Sequence, residues 1–301
     1  MNPPLENRFT VFTKPWPDLS LPELGALVHE LGFDGVELPV RVGYQVEPES
    51  VSRGLSEASK VLADHGVVIG SVAGPVDEAT IAACGETGVP LIRTCESIDL
   101  SIGYAESEKR IRARFESVIP ALDNAGVTVG VQNHYGTMVG SAIGIMHLIE
   151  NFAPDHVGAV LDPAHCAVDG EPVEMALDIV WSHLRLVNFK SASRRRTNRI
   201  SALEAEWEVI WTTAQHSGYS WREMASLLRS RRYGGDICLP AEYSTSTGGG
   251  QLMGEAVIRS LQYDIAYIKH LFSSDVDSQV ESFRTADWHS PLKEAGRSVT
   301  H

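Results

Sequence analysis

No stretch of about 20 apolar residues runs through the 301-residue sequence, so no segment reads as a bilayer-spanning helix. Basic residues are in deficit. Twenty-five Lys and Arg stand against 39 Asp and Glu, a formal charge of −14, which argues against nucleic acid as a habitual partner because phosphate neutralisation drives most such affinity. Cysteine is sparse as well: Cys84, Cys95, Cys166 and Cys238 lie far apart in apolar or strand-like surroundings, which suits reduced core thiols better than a disulfide frame or a thiolate zinc site. The opening MNPPLENRFTVF lacks a basic region followed by an apolar run and a small-residue cleavage site, so no secretory signal is readable and a cytoplasmic location is expected.

What is present is a chain with 43% hydrophobic residues, enough for a substantial core, and a regular alternation of short apolar runs with longer amphipathic stretches. Strands are expected at 8–13, 35–40, 67–73, 90–95, 127–133, 157–162, 184–190 and 237–243. Helices are expected between and after them at 21–31, 49–65, 76–87, 106–125, 141–152, 172–182, 221–231 and 253–272. Ser20 precedes the first helix, Gly32 follows it, and Gly66, Gly126 and the pair Gly234-Gly235 punctuate later helix-to-strand links. Eight strand–helix pairs whose strands are uniformly hydrophobic predict parallel strands buried on both faces, hence one (β/α)₈ TIM barrel over 8–272, with an open doubly wound sheet as the alternative. The polar segment 273–301 has no clear period and reads as a C-terminal tail.

In such a barrel the loops after the strands form the active face, so polar residues at strand C-terminal ends are the candidates for chemistry. They are Lys14, Glu37, Arg41, Arg93, Gln132, His134, Asp162, His165, Asn188, Lys190 and Glu242. Residues two apart on a strand share a face, which pairs Gln132 with His134 and Asn188 with Lys190. Glu242 leaves the otherwise apolar run Ile-Cys-Leu-Pro-Ala, where a carboxylate must be solvated, paired or bound to metal. Lys14 and Lys190 are positioned to polarise a carbonyl or bind a carboxylate. Glu37 and Arg41 either pair with each other or contact substrate. The segment 191–218 reads as a long lid-like loop, with Arg194, Arg195, Arg196 and Arg199 as either an anion clamp or a solvated run; Trp207 and Trp211, four apart on a possible helix, serve for packing or sugar stacking.

The segments FTKPW, LGFDGVELPVR, VGVQNHYG, GAVLDPAHCAVDGEP, LRLVNFK and LPAEYS resemble the xylose isomerase-like TIM-barrel superfamily, whose members are widely labelled sugar phosphate isomerases and epimerases. Its most telling matches here are the Asp-x-x-His of Asp162 and His165, the Asn-His at 133–134 and the lone Glu242. The resemblance implies a divalent metal, manganese first and otherwise magnesium, cobalt or zinc, held at the mouth by Glu, Asp, His and Glu from strands five to eight. On this sequence those positions fall on Gln132, Asp162, Asn188 and Glu242, with amides replacing the first Glu and the His.

The resemblance further implies proton abstraction next to a carbonyl of a sugar through an enediolate, with Glu242, His165 and His134 as the catalytic candidates and Glu37, Arg41, Lys14, Lys190 and Arg93 as substrate contacts. Gln132 cannot serve as a second base, so β-elimination from a 3-keto sugar, glycoside or cyclitol stands as an alternative, and a non-catalytic sugar-binding barrel as another. An apurinic-site endonuclease of the same superfamily would need a histidine-rich zinc site and a basic groove, which the charge and the His-free seventh strand oppose. A small-molecule carbohydrate is the expected partner, with neither nucleic acid nor membrane. Assembly with further copies of the chain or with a small subunit is compatible with the resemblance.

Overall fold

The computed structural model describes residues 7–216, 218–245 and 250–273. Helix ends are fixed by local chemistry. In α1 (Leu21–Glu30) the Glu23 carboxylate accepts from the Ser20 N–H at 2.9 Å, and Asp77, Ser141 and Ser220 accept from first-turn N–H groups of α3 (Glu78–Thr87), α5 (Ala142–Ile149) and α8 (Trp221–Ser230). Gly88 and Gly126 take the left-handed conformation that ends α3 and the long α4 (Tyr104–Ala125) and sends the chain back toward the barrel. The remaining helices are α2 (Val51–Asp64), α6 (Pro163–Asp169), α7 (Val173–Val180) and α9 (Ile258–Phe272).

Eight parallel strands close into a barrel in the order β1 (Phe9–Phe12), β10 (Asp236–Leu239), β7 (Leu184–Asn188), β6 (Val157–Leu161), β5 (Thr128–Gln132), β4 (Leu91–Thr94), β3 (Val68–Ala73) and β2 (Gly35–Pro39). Closure is made by β1, which pairs with β10 through Phe9↔Ile237 and with β2 through Thr10↔Gly35. The TIM barrel expected from the alternation is therefore the fold, and the open sheet is not. Inside the barrel Phe12, Ala73, Leu91, Val160, Leu186 and Cys238 form a compact apolar layer, while a much larger core lies between strands and helices. Gly130 is required by that layer: a Cβ there would lie 2.7 Å from Val160 Cγ2 and 3.0 Å from Leu91 Cδ1.

The segment after β7 is not a loop. It forms an antiparallel hairpin of β8 (Ser191–Arg196) and β9 (Trp207–Thr212), in register from Ser191↔Thr212 to Arg196↔Trp207. Trp207 and Trp211 thus lie on a strand and not a helix, where the period of two puts Trp207, Val209 and Trp211 on one face. A second unexpected element, α6, follows β6 directly. The eighth barrel strand is shorter than expected: Pro240 cannot continue the ladder and Ala241 turns at φ 55°, so Glu242 stands beyond the strand end. Lys190 likewise falls just outside β7, between the barrel and the hairpin. The tail expected at 273–301 lies, apart from Ser273, outside the described residues. Among those residues no helix is long and apolar enough to cross a membrane, and the four cysteines are free thiols, three of them buried.

Candidate active site

The polar residues at the strand C-terminal ends converge on one charged network. Glu37, on β2 and 1% exposed, receives a two-pronged ion pair from Arg93 on β4, with Nε to Oε1 and an NH2 to Oε2 both at 2.7 Å, and a further bond from Ser71 Oγ at 3.2 Å. The pairing of Glu37 with Arg41 weighed from sequence does not form; Arg41 is exposed, with its guanidinium 5.5 Å from the Phe12 ring. Residue 41 lies past the strand end, whereas Arg93 projects across the barrel interior.

Arg93 also fixes Gln132. Its NH1 donates to Gln132 Oε1 at 2.8 Å, and Gln132 Nε2 donates to Asp162 Oδ2 at 2.9 Å. A guanidinium only donates and a carboxylate only accepts, so both ends of the network dictate the same amide orientation. Asp162 is fully buried and caps α6, its Oδ1 accepting from the N–H groups of Ala164 and His165 at 3.1 and 3.4 Å. Asn133 holds its backbone from the other side, accepting from Asp162 N–H at 2.7 Å and donating to Asp162 O at 3.0 Å. This clamp role of Asn133 is invisible in the sequence, where it is the first half of an Asn-His pair.

Lys190, 5% exposed, places Nζ 2.6 Å from Glu242 Oε2 and 3.2 Å from Asp162 Oδ2. Lys14 donates to the other Glu242 oxygen at 3.1 Å and to Gln251 Oε1 at 3.2 Å. Burial works to raise the Glu242 pKa, yet the two ammonium groups outweigh it and hold the carboxylate down at about 2. Asp162 moves the other way, raised by its complete burial and by Glu242 although Lys190 pulls against both. Asn188, at the end of β7 and 1% exposed, keeps a buried Oδ1 without a hydrogen bond among the described residues.

Beside the charges stands an aromatic cluster. The rings of His134 and His165 lie 4.1 Å apart, Tyr135 stacks on both, and Trp211 from the hairpin meets His165 edge-on at 5.3 Å. Lys190 Nζ sits 4.4 Å from the Trp211 ring centre. His134 Nδ1 contacts the Tyr135 carbonyl at 2.9 Å, which places its proton on Nδ1 and leaves Nε2 as a base. His165 Nδ1 receives the Tyr135 N–H at 3.4 Å, which places the proton on Nε2, 3.6 Å from Asp162 Oδ2. Burial lowers the pKa of both imidazoles and Lys190 adds to it in each, while at His134 the Tyr135 carbonyl, Asp162 and Glu242 pull the other way. Sequence reasoning passed over Tyr135 as a wall of the site and left Trp211 between lid packing and stacking.

The donors do not fit a divalent ion. The Gln132 oxygen is taken by Arg93 and its amide nitrogen faces the carboxylate; both remaining anions are bridged by Lys190; among the described residues no group of three His, Cys, Asp or Glu side chains is arranged to hold a metal. Asn188 alone offers a free oxygen of the four ligands the resemblance implied.

Arg194, Arg195 and Arg196 are engaged locally on the hairpin. Arg195 pairs with Glu208, Arg196 binds Asn198 and the Ala202 carbonyl, and Arg194 lies 5.8 Å from the Trp207 ring centre.

Among proteins of curated function none is significantly similar in sequence. Among solved structures, L-ribulose 3-epimerase superposes with a TM-score of 0.69 at 14% identity, covering 95% of this chain and 100% of its own. D-psicose 3-epimerase with D-tagatose from Clostridium cellulolyticum H10 superposes at 0.66 with 14% identity, covering 88% of this chain and 99% of its own. A xylose isomerase-like TIM barrel protein from Mycobacterium smegmatis, solved in complex with magnesium, gives 0.62 at 15% identity, covering 88% and 98%. At such identity the likeness is one of fold. Residues 26–261 match the family model described as xylose isomerase-like TIM barrel, and the chain belongs to that family.

Proposed function

We propose that the chain is a sugar isomerase or epimerase that removes a proton beside a carbonyl and stabilises the resulting enediolate. The observation that carries this reading is the pair of neutral imidazoles of opposite tautomer, 4.1 Å apart, beside the buried Lys190 ammonium. His134 Nε2 takes the proton and, as an imidazolium, returns it at the neighbouring carbon, so one group acts as base and then as acid, while the buried His165, its Nε2–H turned toward Asp162, holds the His134 ring in place. Lys190 donates to the oxygen on which charge develops, with Lys14 beside it, as fixed donors in a water-poor site do for oxyanions.

Glu242 holds both lysines in place. With its two oxygens engaged and its pKa near 2 it is a poor base, which moves proton abstraction to His134. Tyr135, half-buried and backed by Trp211, offers ring surface for the C–H face of a sugar. The structural likeness to ketose epimerases supports a ketose as substrate, and the Asn188 oxygen supplies an unused acceptor for a hydroxyl.

The test is wash-in of deuterium at the carbon beside the carbonyl, followed by proton NMR in heavy water across ketoses, their phosphates and 3-keto sugars. Exchange that falls by about 10²–10⁴-fold in His134→Gln supports the reading, in the range general base catalysis supplies. Release of a leaving group from a 3-keto glycoside would establish the eliminating alternative instead. Absence of exchange on every sugar would sink both and leave a binding barrel.

A further inference from the structure

We infer that the Lys190 ammonium is the resident cation of this barrel mouth, standing in place of the divalent ion implied by the family resemblance. Three observations converge. The first is position: Nζ lies between the carboxylates of Asp162 and Glu242, two of the four residues that fall on expected ligand positions. A monatomic ion bridging those oxygens would have to occupy the space the ammonium fills. Trp211 lies against Lys190, and only 5% of the lysine is exposed, so this cation is built in and not borrowed from a flexible surface chain.

The second is polarity. A ligand at position 132 must present oxygen to a metal, but Arg93, itself locked to Glu37, binds that oxygen and turns the amide nitrogen toward Asp162. Reversing the amide would set donor against donor at Arg93 and acceptor against acceptor at Asp162. The Glu37–Arg93 pair is thus a positioning device for Gln132, three strands away from β2.

The third is charge. Asp162 and Glu242 are balanced by Lys14 and Lys190, two charges against two, so an added dication would leave two positive charges uncompensated in a site with little water.

The proposal concerns binding and stands apart from the sugar chemistry, so its test uses manganese alone. The full chain, washed with chelator, is titrated with manganese while the EPR signal of the free ion is followed. Wild type is expected to leave that signal undiminished. Lys190→Met, which removes the ammonium and keeps the length, is expected to acquire a site at least ~10-fold tighter than any wild-type uptake, a difference of about 1.4 kcal/mol. Glu242→Gln in the Lys190→Met background is expected to abolish that site. Circular dichroism establishes that each variant is folded; should Lys190→Met fail to fold, Lys190→Gln, which retains a donor toward the carboxylates, gives the same comparison.

One equivalent of manganese bound by wild type would overturn the inference. So would folded position-190 variants that gain no affinity. A chelator-treated wild type that shows no sugar exchange yet follows this pattern would leave the inference standing and count against the isomerase reading alone.

Discussion

Asp264 on α9 is 1% exposed and accepts hydrogen bonds from the Ala214 N–H at 2.9 Å and the Tyr243 hydroxyl at 2.8 Å. Burial dominates those bonds and pushes its pKa up to about 7. In the unfolded chain an aspartate titrates near 3.9, so between about pH 4 and 7 the native state holds a proton that the unfolded state has lost. Stability contributed by this group is therefore greatest below pH 4 and declines as pH rises through the folded value, by at most about 1.4 kcal/mol per pH unit. Asp264→Asn is expected to flatten that slope relative to wild type in urea unfolding at pH 5, 6 and 7; parallel slopes would show that the carboxyl is ionised in the native state. Nothing in the local sequence marks Asp264, because its environment is assembled from a loop 50 residues away. The same limit applies at the mouth. Period and strand ends identified Gln132, Asp162, His165 and Glu242, but their partners come from other strands, distant in sequence, so Arg93 was legible as a candidate and its hold on Gln132 was not.

At the scale of elements, the hairpin is the feature that departs most from its sequence reading. An arginine run suggested a solvated loop, and two tryptophans four apart fit a helical period as well as a strand period. The ambiguity arises because β8 and β9 pair only with each other, so neither carries the two-sided burial that made the barrel strands legible. Asp162-Pro163 is a cap followed by a proline in the first turn, a helix-start signal, but α6 spans only seven residues and offers too short a period to read. The two elements meet over the site, where Trp211 contacts Lys190 and His165. Trp211→Ala removes a cation–π contact worth about 0.5–2 kcal/mol, so kcat/KM for deuterium exchange is expected to fall by roughly 2–30-fold while Trp211→Phe retains most of it. Equal losses in both variants would assign Trp211 to shape and not to its ring face. The arginines at the hairpin's far end, paired or stacked locally, are expected to play no part in that change.

Over the whole molecule, the fold was legible because eight strand–helix units repeat one pattern, and a parallel strand buried on both faces announces itself by unbroken hydrophobicity. Stability resides in the layer between strands and helices and in closure at the opposite end, where Arg8 and Asp236 pair through two bonds of 2.8 and 2.9 Å. The charged mouth adds function at a cost in stability. Desolvating Lys190, Asp162 and Glu242 is repaid only while every partner is present, so removing one should harm the fold more than removing two that oppose each other. Lys190→Met is expected to destabilise by about 3 kcal/mol by stranding two carboxylates, and Glu242→Gln by less, since Glu242 is 15% exposed and Lys14 is 28% exposed. The double variant leaves Asp162 with its Gln132 and backbone donors and no facing charge, so it should be more stable than Lys190→Met alone, with a coupling of at least about 1 kcal/mol, and inactive. Denaturation midpoints of the four proteins measure this coupling. Additive losses would mean that the ion pairs act independently and that the mouth stabilises the barrel, in which case its charges are retained for the fold and the assignment of Lys190 to chemistry loses its energetic support.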